Sequence, residues 1–180
     1  AQPLPRGVSA ARQRPAVALT FDDGYADVEE FALPELSRRG LRAALCVTSG
    51  AASGALALPV DDWYAALAGA TARCGALSGF GAAEWRFDLS EPADRLRLID
   101  GPEKRAYVRA RAEERARLLE RLQRALGSET RPRPPLLGPE GIRRLWRAGW
   151  TIGAHGHSHA LLGALPRAQA AQELATSRDW

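Results

Sequence analysis

The 180 residues contain no methionine, a single lysine, two cysteines and three histidines. No apolar run approaches the ~20 residues that span a bilayer, so no transmembrane segment is expected. Residues 1–15 carry proline and arginine and have no apolar centre, so they do not read as a signal peptide. The cysteines, Cys46 inside an apolar run and Cys74 near a predicted helix end, form no C-x-x-C pair. They read as small core or near-surface residues, and the sequence leaves a single disulfide between them open. Because Lys104 is the one lysine, the net charge of +4 is carried by arginine. No zinc-finger spacing or RNA-binding aromatic motif accompanies it, so the reading is solvated basic faces and no nucleic-acid partner. Hydrophobic residues make up 46% of the chain, enough for one globular core.

The chain reads in order as follows. Val17 to Phe21 is an apolar run and a first buried strand. A helical pattern of Val28, Phe31, Ala32 and Leu36 runs up to Gly40, interrupted by Pro34. The helix either starts near Leu33 with Pro34 in its first turn or is kinked there. Leu41 to Thr48 is a second buried strand, which makes a βαβ unit with parallel strands. Ser49 to Leu58 is Gly/Ala-rich and reads as a loop. Asp61 or Asp62 is placed to cap a helix carrying Trp63, Leu67 and Ala70. Gly75 to Asp100 shows no period and reads as irregular. Glu103 to Leu126 reads as one long amphipathic helix, with Val108, Ala112, Leu119, Leu122 and Leu126 on one face and Gly127 as its stop. A Pro-rich connector, 131–135, leads to a helix opened by Pro139, with Ile142, Leu145 and Trp146 facing the core. Trp150 to Ala154 is a third strand. Arg167 to Trp180 is a last helix with Ala168, Ala171 and Leu174 on one side.

Two clusters carry chemistry, each at the end of a predicted strand. Asp22 and Asp23 follow the first, and two adjacent carboxylates there repel and lose solvation unless a cation compensates. His155, His157 and His159, all the histidines of the chain, follow the third. On a helical turn His155 and His159, spaced i, i+4, would share one face. Neutral imidazoles suit zinc, and Asp23 would add a third ligand, leaving an open position as catalytic sites require. Such an ion brings the pKa of its water towards ~7. Asp22, beside the ligand, is then placed as general base. Either cluster alone has an ordinary reading, a surface histidine turn or an Asp-Asp-Gly turn. A two-His-one-carboxylate iron site is a weaker rival, since a carboxylate far ahead of a close histidine pair does not match the usual order.

Thr20-Phe21-Asp22-Asp23-Gly24 resembles the first motif of the polysaccharide deacetylases, carbohydrate esterase family four, known as the NodB homology domain. Ile152-Gly153-Ala154-His155-Gly156-His157-Ser158-His159 resembles the second. Ala32-Leu33-Pro34, Gly40-Leu41-Arg42-Ala43 and Ala148-Gly149-Trp150 are similar to the flanking text. The resemblance implies an incomplete parallel (β/α) barrel, with Asp22 as base and Asp23, His155 and His159 as ligands of zinc or a related divalent ion. It implies removal of N-acetyl groups from amino-sugar polymers or oligomers, and a cell-envelope or extracellular setting. The implied layout is a deacetylase domain over 16–180, a helical insertion over 55–135 and an N-terminal extension over 1–15.

The chain departs from the family pattern at three points. Gly156 stands where a Ser or Thr usually orders the loop, which predicts less constrained ligands. His157 occupies a variable position and is expected not to bind metal. The long segment after the second strand leaves no room for the later motifs, which supply an arginine, an oxyanion donor, an Asp-Trp groove wall and a histidine acid. Arg178-Asp179-Trp180 does not substitute for them. The chain is therefore expected to be the front part of a catalytic domain. The competing reading is a metal-binding but inactive module, truncated or a pseudoenzyme. The insertion reads equally as a wall of the substrate groove or as a peripheral helical pair.

Overall fold

A computed structural model of the chain describes residues 17–81, 83–129 and 131–180. The 1–15 extension lies outside the described residues, apart from which the elements run in order along the chain. Three short strands form a parallel sheet: β1 (Thr20–Asp23), β2 (Ala44–Val47) and β5 (Thr151–Ala154), with β2 in the middle. The register pairs Asp23 with Val47 and Val47 with Ala154, so all three strands finish at one level. That alignment brings the residues following each strand together at the carboxyl edge, where parallel α/β sheets bind ligands. The mixed α/β architecture with a parallel sheet agrees with the expected fold class to this extent, and the described residues show three parallel strands.

Strand one is displaced from its expected place. Val17 is 85% exposed and the strand begins at Thr20. Pairing with β2, rather than apolarity, decides the limits, and it takes in both aspartates. Alternation then assigns the faces. Phe21, Leu45 and Ile152 share one face, and Val47 continues it. That face packs on Val28, Ile142, Leu145 and Trp150 to form one core cluster. Phe21 stacks on Trp150 with ring centres 5.4 Å apart.

The segment after β1 resolves the ambiguity at Pro34. A π-turn over Val28–Ala32 runs directly into α1 (Leu33–Arg38), so the chain is helical on both sides of Pro34 and the wider turn just before it accommodates the ring and its missing N–H. Ser49–Leu58 is not all loop, because α2 (Ser49–Ala52) follows β2 almost directly. Helix α7 (Pro139–Arg147) buries Ile142 and Leu145 as expected, but Trp146 is 65% exposed and does not face the core.

The 55–135 segment has its own apolar cluster, and its structure differs most from the sequence reading. It holds α3 (Pro59–Ala68), an antiparallel pair of strands β3 (Cys74–Leu77) and β4 (Trp85–Asp88), then α4 (Pro92–Asp100). Gly75 to Asp100 is thus largely regular. The strands are too short to show a period in sequence, and their partner contacts are non-local. Asp61 and Asp62 lie in the first turn of α3 without capping it; Leu58 is the N-cap residue. The expected long helix is broken into α5 (Pro102–Arg109) and α6 (Ala112–Leu126) by extended backbone at Ala110 and Arg111. In a straight helix Tyr107 and Leu118 would stand about 16 Å apart along the axis. The break lets both join one cluster with Trp63, Leu122 and Leu126. Gly127 stops α6 in the left-handed conformation at φ 55°. Both cysteines are free thiols, so the possible disulfide is not made.

The last helix, α8 (Arg167–Asp179), also turns differently from the pattern of its apolar residues. Leu174 is 53% exposed, and the side facing the sheet presents Glu173 and Ser177. Among the described residues no helix is long and apolar enough to cross a membrane.

Candidate metal centre

Asp23 ends β1 in the left-handed region, at φ 68°, and His159 adopts φ 57°. Non-glycine residues held there are uncommon and mark positions the surroundings enforce. The result is convergence. Asp23 Oδ1 lies 3.7 Å from His155 Nε2 and 3.2 Å from His159 Nε2. One ligand atom from each of the three residues falls within 4.8 Å of the others. Around a tetrahedral ion with bonds of ~2.0–2.2 Å, ligand atoms stand about 3.4 Å apart. Two imidazole nitrogens and a carboxylate oxygen at these separations therefore fit a divalent cation by both chemistry and spacing. All three side chains are half-buried, which leaves the centre open to solvent on one side.

The two histidines do not lie on a helical turn. Residues 155–160 form an irregular loop, and the i, i+4 spacing works through the loop's bends. His155 is fixed directly by the sheet, its amide donating to the Val47 carbonyl at 2.8 Å. His157 stands apart from the cluster, with Nδ1 3.0 Å from Ser49 Oγ.

Gly156 does not leave this loop loose. It takes φ 81°, and its carbonyl accepts from the Ser49 amide at 3.1 Å and from Ser177 Oγ at 2.8 Å. The Glu173 carboxylate accepts from the amides of His157 and Ser158, each at 2.9 Å, and from the Ser158 hydroxyl. Burial pushes the Glu173 carboxyl up, and the donors from Ser158 and His157 outweigh it, holding the group below its usual range. Gly50 closes the other side. Its amide donates to the His157 carbonyl at 2.9 Å, and a Cβ there would stand 2.6 Å from that oxygen. Helices α8 and α2 thus supply order to this loop.

Asp23 has its own support, since the buried Thr48 donates its hydroxyl to Oδ1 at 3.1 Å. Thr48, Ser49 and Glu173 were not legible as site residues. The one available signal was position, Thr48 standing one residue past a strand that ends level with Asp23. Asp22 projects to the opposite sheet face and is exposed, near Cys46. Burial raises the Cys46 thiol pKa, and the Asp22 carboxylate adds to it.

The 55–135 segment also reaches this region. Tyr25 donates its hydroxyl to the buried Asp61 carboxylate of α3 at 2.7 Å. Burial, then the Asp61 hydrogen bond and charge, then Asp23, push the Tyr25 hydroxyl well above its usual range. Asp61 is raised by burial, with the Tyr25 hydrogen bond opposing.

Comparison with known proteins agrees with this geometry. The family model for polysaccharide deacetylase matches residues 9–180. No curated protein and no solved structure matches the chain. A model that spans nearly the whole chain, together with the acid and histidine motifs meeting at one sheet edge, places the sequence: the chain belongs to the polysaccharide deacetylase family.

Proposed function

We propose that the protein is a metal-dependent hydrolase that removes N-acetyl groups from amino-sugar polymers or oligomers. The convergence of Asp23, His155 and His159 is the observation that carries this reading. These three residues hold the ion, and zinc suits the two imidazoles and one carboxylate. When bound, the ion supplies Lewis acidity, activating water near neutral pH and stabilising charge on the acetyl oxygen. Asp22 takes the proton from the attacking water, the nitrogen takes up a proton as the C–N bond breaks, and the products are acetate and a free amine. Thr48 keeps Asp23 aimed at the centre, and Glu173, Ser177 and Ser49 keep the histidine loop in place. The 55–135 segment is a discrete insertion that walls one side of the site, as the Tyr25–Asp61 contact supports. The setting is the cell envelope or outside the cell, where such polymers occur.

The test is acetate release from an N-acetylated chito-oligosaccharide by the zinc-loaded protein, with metal content measured in parallel. Release that is lost in Asp22→Asn while zinc stays bound supports the assignment. Zinc binding with no release from the unaltered protein would favour a metal-binding, inactive module instead.

A further inference from the structure

A cleft of about 510 Å³ lies between the α5–α6 break and α8, with His157 and Ser158 of the histidine loop in its wall. This size falls within the ~300–1,000 Å³ typical of small-molecule sites. Its lining is more apolar than polar, with Leu161, Leu165 and Pro166 along it, and its polar groups are basic on one side and amide-bearing on the other. Arg109, Arg111 and Arg115 come from the break, and Gln169 and Gln172 from α8. None of the ion pairs among the described residues uses these three arginines. Arg115 Nη2 donates to the Ala110 carbonyl at 3.1 Å. Its Nε is buried and has no acceptor among the described residues. A buried donor without an acceptor is costly, and the side edge of this guanidinium, Nε with Nη2, has only its Nη2 engaged, so an anion oxygen reaching Nε would satisfy the remaining donor. Glu173, the one carboxylate in the lining, does not meet that need, because its oxygens already accept from His157 and Ser158.

We propose that this cleft binds a negatively charged sugar unit of the substrate, through its carboxylate or phosphate, next to the residue being deacetylated. The proposal rests on the function given above and narrows its substrate to an anionic N-acetylated polymer. The break that creates the cleft has no Gly or Pro to cause it, and it places Arg109, Arg111 and Arg115 around one space. The turn carrying His157 and Ser158 also carries His155 and His159, so the cleft and the metal centre share one loop.

Calorimetric binding to the intact protein tests this apart from turnover. The probes are a tetrasaccharide alternating N-acetylglucosamine with glucuronate, its carboxyl methyl ester, and N-acetylglucosamine 6-phosphate against N-acetylglucosamine. We expect at least one charged probe to bind about tenfold tighter than its uncharged counterpart, and the pair that shows the gap identifies carboxylate or phosphate as the anion. The gap should close to about twofold in Arg115→Gln, and shrink in the solvent-exposed Arg111→Gln, which guards against misfolding of the first variant. Equal binding of charged and uncharged probes, or a gap that survives both substitutions, overturns the proposal. If the gap is present and no acetate is released from any probe, the deacetylase reading fails and the anion site stands. If acetate is released and there is no gap, the reverse holds.

Discussion

Asp22 and Asp23 are neighbours on one strand, and the alternation of β structure sends them to different faces. That separation leaves Asp22 outside the ligand set, and as a base its carboxylate has to reach the water at the centre directly or through one further water. Asp22→Asn should therefore keep zinc at full occupancy and lower acetate release at least ~100-fold, measured by elemental analysis and an acetate assay. The residues that hold the ligands give a second expectation. Glu173 accepts two amides and a hydroxyl from the turn between His155 and His159. Glu173→Gln replaces half of that acceptor with a donor facing donors. Zinc affinity should fall about tenfold, read by competition with a chelator, and the Ser158 amide should lose hydrogen-exchange protection. An unchanged affinity would show that Ser177, Ser49 and Gly50 hold the loop without it. The candidate ligands were legible in sequence because acid pair and histidine pair each follow an apolar run. Glu173 was not, because nothing local to α8 shows that it faces a loop about 15 residues earlier.

The elements of the 55–135 segment show why its order was hard to read. Tyr107 and the Leu118, Leu122, Leu126 stripe suit one continuous helix, and no residue at Ala110 or Arg111 forbids it. Packing around Trp63 decides otherwise, since Tyr107 meets that ring at 5.3 Å and Leu122 is fully buried beside it. The same holds for β3 and β4, which exist by pairing with each other. By contrast, β2, α7 and the Gly127 stop were legible, because buried runs and helix ends carry local signals. One buried ion pair fixes the α4–α5 corner. Arg97 donates from Nε to Glu103 at 3.1 Å and lies over the Trp85 ring at 4.1 Å. Burial raises the Glu103 carboxyl, but Arg97 outweighs it and holds the group below its usual value. A depressed carboxyl stabilises the fold above the unfolded value of ~4.3, and that contribution is lost as pH falls through the folded value. Glu103→Gln should cost about 1–2 kcal/mol at neutral pH, reduced because the guanidinium reaches solvent, and the cost should vanish in strong acid. Denaturant melts at pH 7 and below pH 3 check this, and an equal loss at both would remove the charge from the explanation.

At the scale of the molecule, two apolar clusters divide the work. One joins β1, β2 and β5 to the π-turn and α7, and positions the metal centre; the other lies wholly within the 55–135 segment. Leu122→Ala should destabilise the second by about 2–5 kcal/mol. If the clusters are energetically separate, zinc affinity at the sheet edge should change by less than about twofold in folded protein. A large loss of affinity would instead mean that the Tyr25–Asp61 contact transmits the insertion's packing to Asp23. The sheet itself was legible in outline, as parallel strands with the functional residues at their carboxyl ends. Where the 55–135 segment packs was not, because it depends on contacts such as Asp61 with Tyr25 that have no sequence signature.

Anomalous diffraction from zinc-soaked crystals of the protein tests the central claim most directly. The account predicts one strong peak about 2.0–2.2 Å from an Asp23 oxygen and from a nitrogen of His155 and of His159, with the Asp22 carboxylate outside the coordination shell. Zinc seated elsewhere, or a centre that Asp23 does not reach, would contradict it.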